Sequence, residues 1–251
     1  MPEVPPHDVK TSLDASFGFE NVSSEDRERR IRQVFESVAP RYDLMNDMMS
    51  FGLHRLWKRY LVGAAEAKPG QKIIDLAGGT GDVAIAMSGP GREVVVCDPS
   101  PAMMAMGRRR KGAESLSFVE GTAESMPFPD GSVDIVTIAF GLRNVTRLSW
   151  ALAEILRVLK PGGRFLCLEF SRPWAVIRPL YDAYSFHIIP RLGAWVAKEP
   201  AAYTYLVESI RAFPDQKTLA GHLSDAGFTQ VEWHNLTFGV ACLHMARKGM
   251  K

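Results

Sequence analysis

The sequence is poor in three things. It has only three cysteines in 251 residues, Cys97, Cys167 and Cys242. Each stands in an apolar, strand-like run without metal-ligand spacing, and the odd number leaves no complete disulfide framework. Buried free thiols in a reducing compartment are expected, and no metal. No uncharged apolar run approaches the roughly 18–20 residues that span a bilayer. The opening MPEVPPHDVK lacks the apolar core of a signal peptide. A soluble cytoplasmic protein is expected, one that can still sit on a membrane face. Charge of one sign is also scarce: 30 Lys and Arg against 28 Asp and Glu leave +2. That is too little to argue for a nucleic-acid partner, and none is expected. What is present is a 46% hydrophobic, 23% charged chain, enough to bury a sizeable core.

Residues 1–22 are rich in proline and polar groups and are expected to be a flexible N-terminus. Ser23 with Asp26 resembles a capping box, and Ile31, Val34, Phe35 and Val38 recur at helical spacing up to Pro40. With the amphipathic stretch RYDLMNDMMSFGLHRLWKRYLV this makes 23–66 an N-terminal helical cover over a pocket. From Gln71 strands and helices alternate. QKIIDLA (71–77), EVVVCD (93–98), LSFVEG (116–121), VDIVTIAF (133–140) and RFLCLEF (164–170) read as five strands. Alternation at this spacing implies right-handed βαβ units and a parallel sheet. VEWHNLTFGVACLHMAR then reads as two strands joined at Phe238–Gly239, so one of them runs antiparallel. The stretch 171–213 is too long for a simple crossover and is expected to be a helical insert forming a lid over substrate; with the neighbouring Pro214 it holds eight of the 24 aromatics. Residues 23–251 are expected to form a single domain.

DLAGGTGDVA (75–84) lies between a strand and a helix, where open α/β sheets bind ligands. Gly78, Gly79 and Gly81 allow backbone to approach a ligand that a Cβ would keep away. Asp98 ends the second strand, 23 residues after Asp75, where a carboxylate can accept both hydroxyls of a ribose. Residues 79–84 also fit the dinucleotide pattern G-x-G-x-x-A, so a nicotinamide cofactor competes. Two features favour S-adenosylmethionine: Asp75, which can serve a cationic amino group directly or by holding the loop, and the C-terminal antiparallel hairpin.

Five stretches carry a closer resemblance: YDLMNDMMSFGLHRLWKR (42–59), DLAGGTGD (75–82), FGLRNVT (140–146), RVLKPGG (157–163) and YLVESIRAFPDQ (205–216). Over Phe17 to Arg247 the chain resembles the ubiquinone/menaquinone biosynthesis C-methyltransferases of the UbiE type. The resemblance implies a Rossmann-like class I methyltransferase fold: α/β, a seven-stranded mostly parallel sheet with an antiparallel C-terminal strand, and helices on both faces. It implies methyl transfer from S-adenosylmethionine to a ring carbon of a polyprenylated quinol, either 2-methoxy-6-polyprenyl-1,4-benzoquinol, demethylmenaquinol or both. Family cofactor positions fall on Thr80, Asp98, Thr122 and Ala123. Where the family often has Asn this chain has Thr122, which still forms hydrogen bonds; where it often has Ser this chain has Ala139, which cannot.

The resemblance puts Arg143 and Asn144 at the catalytic centre. A guanidinium is a poor base, so Arg143 is expected to stabilise a developing phenolate, with Asn144 orienting the ring or a water. The competing reading is a structural Arg143 paired with Asp134 or Glu169. Tyr42, Asp43 and Asn46 are candidates to close over the cofactor, against a purely structural helix–turn. Tyr184, His187 and Tyr203 are candidates to line the quinol pocket, against ordinary packing, and His187 is a candidate proton acceptor. The run RRRK (108–111) reads as a solvated helix end. Expected partners are the quinol, peripheral contact with the cytoplasmic face of the inner membrane, and other quinone-biosynthesis proteins; a homodimer is left open. Another small-molecule or RNA methyltransferase, a non-catalytic scaffold that binds the cofactor, and an NAD-dependent dehydrogenase are the competing functions.

Overall fold

The computed structural model describes residues 16–38, 44, 46–47, 50–184 and 200–250, with backbone only at 38 and 200–203. Tyr42, Asp43, His187 and Trp195, and the side chain of Tyr203, lie outside the described residues. The chain opens with a hairpin of β1 (Ser16–Phe17) and β2 (Glu20–Asn21), then α1 (Ser24–Val38) and α2 (Leu53–Ala65). The alternating part follows: β3 (Lys72–Leu76), α3 (Asp82–Met87), β4 (Glu93–Asp98), α4 (Pro101–Gly107), β5 (Ser117–Glu120) and β6 (Val133–Ala139). After a 3-10 turn (Leu142–Asn144) come α5 (Leu148–Val158), β7 (Leu159–Phe170), α6 (Arg178–Ala183), α7 (Pro200–Ala212), α8 (Gln216–Asp225), β8 (Phe228–Leu236) and β9 (Ala241–Lys248).

The main sheet has seven strands in the order β5-β4-β3-β6-β7-β9-β8. The first five are parallel, and β9 runs antiparallel to both β7 and β8. The strand order reverses between β3 and β6, so a crevice opens at their C-terminal ends. Apolar side chains of the central strands alternate between two cores. Ile74, Leu76, Val136 and Ile138 pack with Leu152, Ile155 and Leu219 on the α5 and α8 side. Ile73, Val94, Val96 and Ile135 pack with Leu61, Val83 and Met87 on the α2 and α3 side. A strand with both faces buried cannot alternate with polar residues, hence the unbroken apolar runs. All three cysteines are buried and free.

Two elements differ from the sequence-based expectation. Residues 16–21, placed in the flexible terminus, form the β1–β2 hairpin, because Phe17 stacks on Tyr205 with ring centroids 4.3 Å apart. The fifth strand starts at Leu159 rather than Arg164, with the Pro-Gly-Gly run as a bulge inside it. Leu159 pairs with Val133 and Arg164 with Ile135, leaving four residues outside the register. The Ser23 cap at α1 forms as expected, with the Asp26 N–H donating to Ser23 Oγ at 3.2 Å, while the Asp26 carboxylate pairs with Arg29 and Arg30.

Candidate active site

The chain turns sharply as it leaves β3 and β6, and both turns are made by residues with side chains. Ala77 and Phe140 have φ of 49° and 59°. Such left-handed non-glycine residues are costly and occur where surrounding structure enforces them. Gly141 permits the close pairing of the two turns, since a Cβ there would lie 2.8 Å from the Ala77 Cβ. Between the turns and the inner face of α1 lies a cavity of about 430 Å³. Its walls include Gly79, Asp98, Thr122 and Ala123 on one side, and Phe140, Gly141 and Asn144 on the other. Helix α1 closes it with Glu28, Ile31 and Phe35.

The strand-end carboxylates divide the work. Asp98 lines the cavity although it is nearly buried. Its two oxygens accept the Gly79 and Ser100 N–H groups, each at 2.8 Å. Each oxygen keeps a second lone pair, enough for two ligand hydroxyls. Burial pushes its pKa to about 6, against the pull of those two N–H groups. Asp75 is fully buried behind the turn, accepting from the Ala84 N–H at 3.1 Å and from the Thr137 hydroxyl at 3.0 Å. Of the two roles open to it in the sequence, holding the loop is the one its position serves.

Burial, and next the charge of Asp82, raise the Asp75 pKa from 3.8 to about 7. The folded protein therefore binds this proton more tightly than the unfolded chain. The stabilisation is complete below about pH 4 and lost as pH rises through about 7. Without ligand, wild-type stability should fall relative to Asp75→Asn by about 3–4 kcal/mol between pH 4 and pH 7.5. Urea midpoints at four pH values would check this, and parallel curves would contradict it.

The glycines are not equivalent. Gly79 lines the cavity at φ 55°. A Cβ on Gly78 would meet the Asp75 carboxylate at 2.8 Å, and one on Gly81 would meet Val96 at 3.2 Å. Those two shape the turn, and Thr80 is buried behind it, off the cavity wall. A backbone turn that lines the cavity at Gly79, beside a nearly buried carboxylate with spare lone pairs, fits the ribose and amino acid parts of S-adenosylmethionine. Asp98, Gly79, Thr122 and Ala123 line the cavity and are the residues that would hold it.

Arg143 faces Glu169. Its Nη1 donates to Glu169 Oε1 at 2.9 Å and to the Phe140 carbonyl, and its backbone N–H reaches Glu169 Oε2 at 3.3 Å. Both side chains are buried, Glu169 is 1% exposed, and Arg143 is off the cavity wall. The structural reading of Arg143 is the one this placement matches, and a buried charge pair is its physical reason. Burial raises the Glu169 pKa while Arg143 opposes that rise. Its neighbour Asn144 does line the cavity, and Asn144 Oδ1 accepts the Tyr205 hydroxyl at 3.0 Å.

Of the proposed substrate groups, Asn46 uses its carbonyl to accept from Ser50, and Tyr184 packs on Phe51 with centroids 5.0 Å apart. Neither is on the cavity wall. Three contributors escaped the sequence reading: Arg27, Tyr205 and Thr137. Only Arg27 left a trace there, as one arginine in a helix whose period places it between the cap and the half-buried positions Ile31 and Val34.

The profile of the ubiE/COQ5 methyltransferase family matches residues 21–248. The ubiquinone/menaquinone biosynthesis C-methyltransferase UbiE of Rubrivivax gelatinosus is 58% identical over 238 residues, covering 95% of this chain and 94% of that one. The UbiE of Pectobacterium carotovorum is 50% identical over 244 residues, covering 93% and 96%. Among solved structures, a putative methyltransferase in complex with the Haloferax volcanii Trm112 activator aligns with TM-score 0.64 at 21% identity, covering 87% of this chain and 97% of that one. The [4+2]-cyclase SpnF aligns at 0.65 and 16%, covering 89% and 97%. The structural likenesses speak for the fold, while the profile and the identities extend across cover, cavity and C-terminal hairpin alike: the chain belongs to the ubiE/COQ5 methyltransferase family.

Proposed function

We propose that this protein is an S-adenosylmethionine-dependent C-methyltransferase of ubiquinone/menaquinone biosynthesis, acting on the ring of 2-methoxy-6-polyprenyl-1,4-benzoquinol, demethylmenaquinol or both. The observation that carries the reading is one cavity holding the Asp98–Gly79 wall and Asn144 within a chain half identical to UbiE proteins. S-adenosylmethionine, when bound, supplies an electrophilic methyl group. Asp98 accepts the ribose hydroxyls, and the Gly79 backbone approaches the cofactor. The ring becomes a stronger carbon nucleophile as its hydroxyl approaches a phenolate. With Oδ1 engaged by Tyr205, the Asn144 amide N–H groups are free to donate to that oxygen. Ile31 and Phe35 of the cover exclude water from the ring, and the carboxylates of Glu25 and Glu28 are the cover's candidate acceptors for the ring proton.

The insoluble prenyl tail calls for pickup from a bilayer. Among the described residues no helix is long and apolar enough to cross one. The basic stretch His54–Arg59 offers less than its sequence suggests, since His54 and Trp57 are buried and Lys58 pairs with Asp82 at 2.7 Å. The start of the 171–213 insert is better placed. Trp174 and Phe238 meet edge to face at 5.7 Å, both more than half exposed, with Val176 and Leu180 exposed nearby and Arg172 and Arg178 beside them in sequence. This composition suits the headgroup boundary.

One experiment tests both parts. Purified protein is given S-adenosylmethionine and liposomes carrying either quinol, and product is read by mass spectrometry. A methylated quinol is expected, with rate rising with anionic lipid and falling with salt. Trp174→Ser with Phe238→Ser should raise KM at least tenfold with kcat kept. No product from either quinol would overturn the enzymatic reading, and a double variant that keeps the wild-type KM and the wild-type response to lipid would overturn the docking one.

A further inference from the structure

Arg27 is 2% exposed, although the other arginines of α1 pair with carboxylates at the surface. Its guanidinium reaches across to backbone carbonyls. Nε donates to Ser16 at 2.7 Å, Nη2 to Arg143 at 3.0 Å, and Nη1 to Val145 at 2.8 Å and Asn144 at 3.2 Å. Three of these carbonyls belong to the end of the 3-10 turn that carries Asn144, where oxygens lack partners within the turn and the local dipole is negative. A planar cation with five donors in a fixed fork can satisfy several such oxygens at once; an ammonium cannot match that geometry.

We infer that Arg27 is a positioning residue that makes closure of the cover helix and orientation of Asn144 a single event. The same helix that carries Arg27 lines the cavity with Glu28, Ile31 and Phe35. The cover cannot lift without stripping three carbonyls, two of them buried, of their donor. Tyr205 completes the brace from the far side, with its hydroxyl on Asn144 and its ring on Phe17, next to Ser16. Asn144 thus adopts its working orientation only when the cavity is shut and water is excluded.

The inference rests on the reading of Asn144 as the group that meets the quinol oxygen, so its test includes a readout independent of turnover. Hydrogen exchange on the wild-type protein should give α1 and residues 141–146 one common opening rate, slowed together by S-adenosylmethionine. Arg27→Lys should speed exchange in both segments and leave the central strands protected. It should lower kcat about 10²-fold, the cost of a misplaced group. Cofactor affinity measured by calorimetry should change by no more than about threefold. Guanidinium at low millimolar concentration should restore part of the activity of Arg27→Ala and none to wild type. Separate opening rates in the wild-type protein, exchange rising evenly over the whole sheet in the variant, or a wild-type kcat in Arg27→Lys would overturn the inference. Absence of turnover in wild type with coupled exchange would overturn the proposed function and leave the brace standing.

Discussion

Asp98→Ala should lose S-adenosylmethionine affinity by roughly 30- to 1000-fold, the equivalent of about 2–4 kcal/mol for two hydrogen bonds to a charged acceptor. The carboxylate does more than accept from ligand, because it also holds the Gly79 and Ser100 N–H groups that shape the turn. Asp98→Asn is therefore no mild change: its amide would point one donor at another. Both variants should bind weakly, and calorimetry on folded protein would read it. The free carboxyl titrates near 6, so wild-type affinity should fall as pH drops through that value and the acceptor becomes protonated. An unchanged affinity in Asp98→Ala would remove the ribose assignment.

The second large effect concerns stability. Glu169→Ala should cost about 3–5 kcal/mol, because it leaves the Arg143 cation buried without its partner. Arg143→Ala should cost a similar amount by stranding Glu169. Glu169→Gln should fall between, at about 1–3 kcal/mol. Arg143 Nη1, Arg143 N and Phe170 N are all donors to Glu169, and a Gln would turn its own amide against one of them. The double variant Arg143→Met, Glu169→Leu should be less destabilised than the sum of the two single changes to Ala, since no charge is stranded. Urea unfolding of the set checks this. A cost under about 1 kcal/mol for Glu169→Ala would mean a solvated pair. Rates of these variants need normalising to folded protein, because the pair supports the turn that presents Asn144.

The proposed entry from a lipid surface and the proposed brace fit together. If the ring enters from a lipid surface, water exclusion follows from the cover coming down, and Arg27 ties that movement to the reacting wall. An enzyme built this way needs no separate signal that substrate has arrived; apolar contact with Ile31 and Phe35 favours the closed cover directly.

By itself the sequence determined the sheet, the direction of its last strands and the place of the cavity. Burial on both faces demands unbroken apolar runs, glycine is needed where backbone must turn tightly or approach a ligand, and an acid at the end of the second strand has few other uses there. These are local demands, written in residue type and spacing. Only the tertiary structure decided which polar groups share a wall. Arg143 and Asn144 are adjacent in sequence, yet one side chain turns to Glu169 beneath the loop and the other lines the cavity. That choice depends on a carboxylate 26 residues away in β7. Arg27 is buried rather than solvated because carbonyls 116 to 118 residues further along lie within reach of its fork. Spacing along a chain carries no record of such partners, since the free energy of burying a charge depends on what surrounds it in three dimensions and not on its neighbours in sequence.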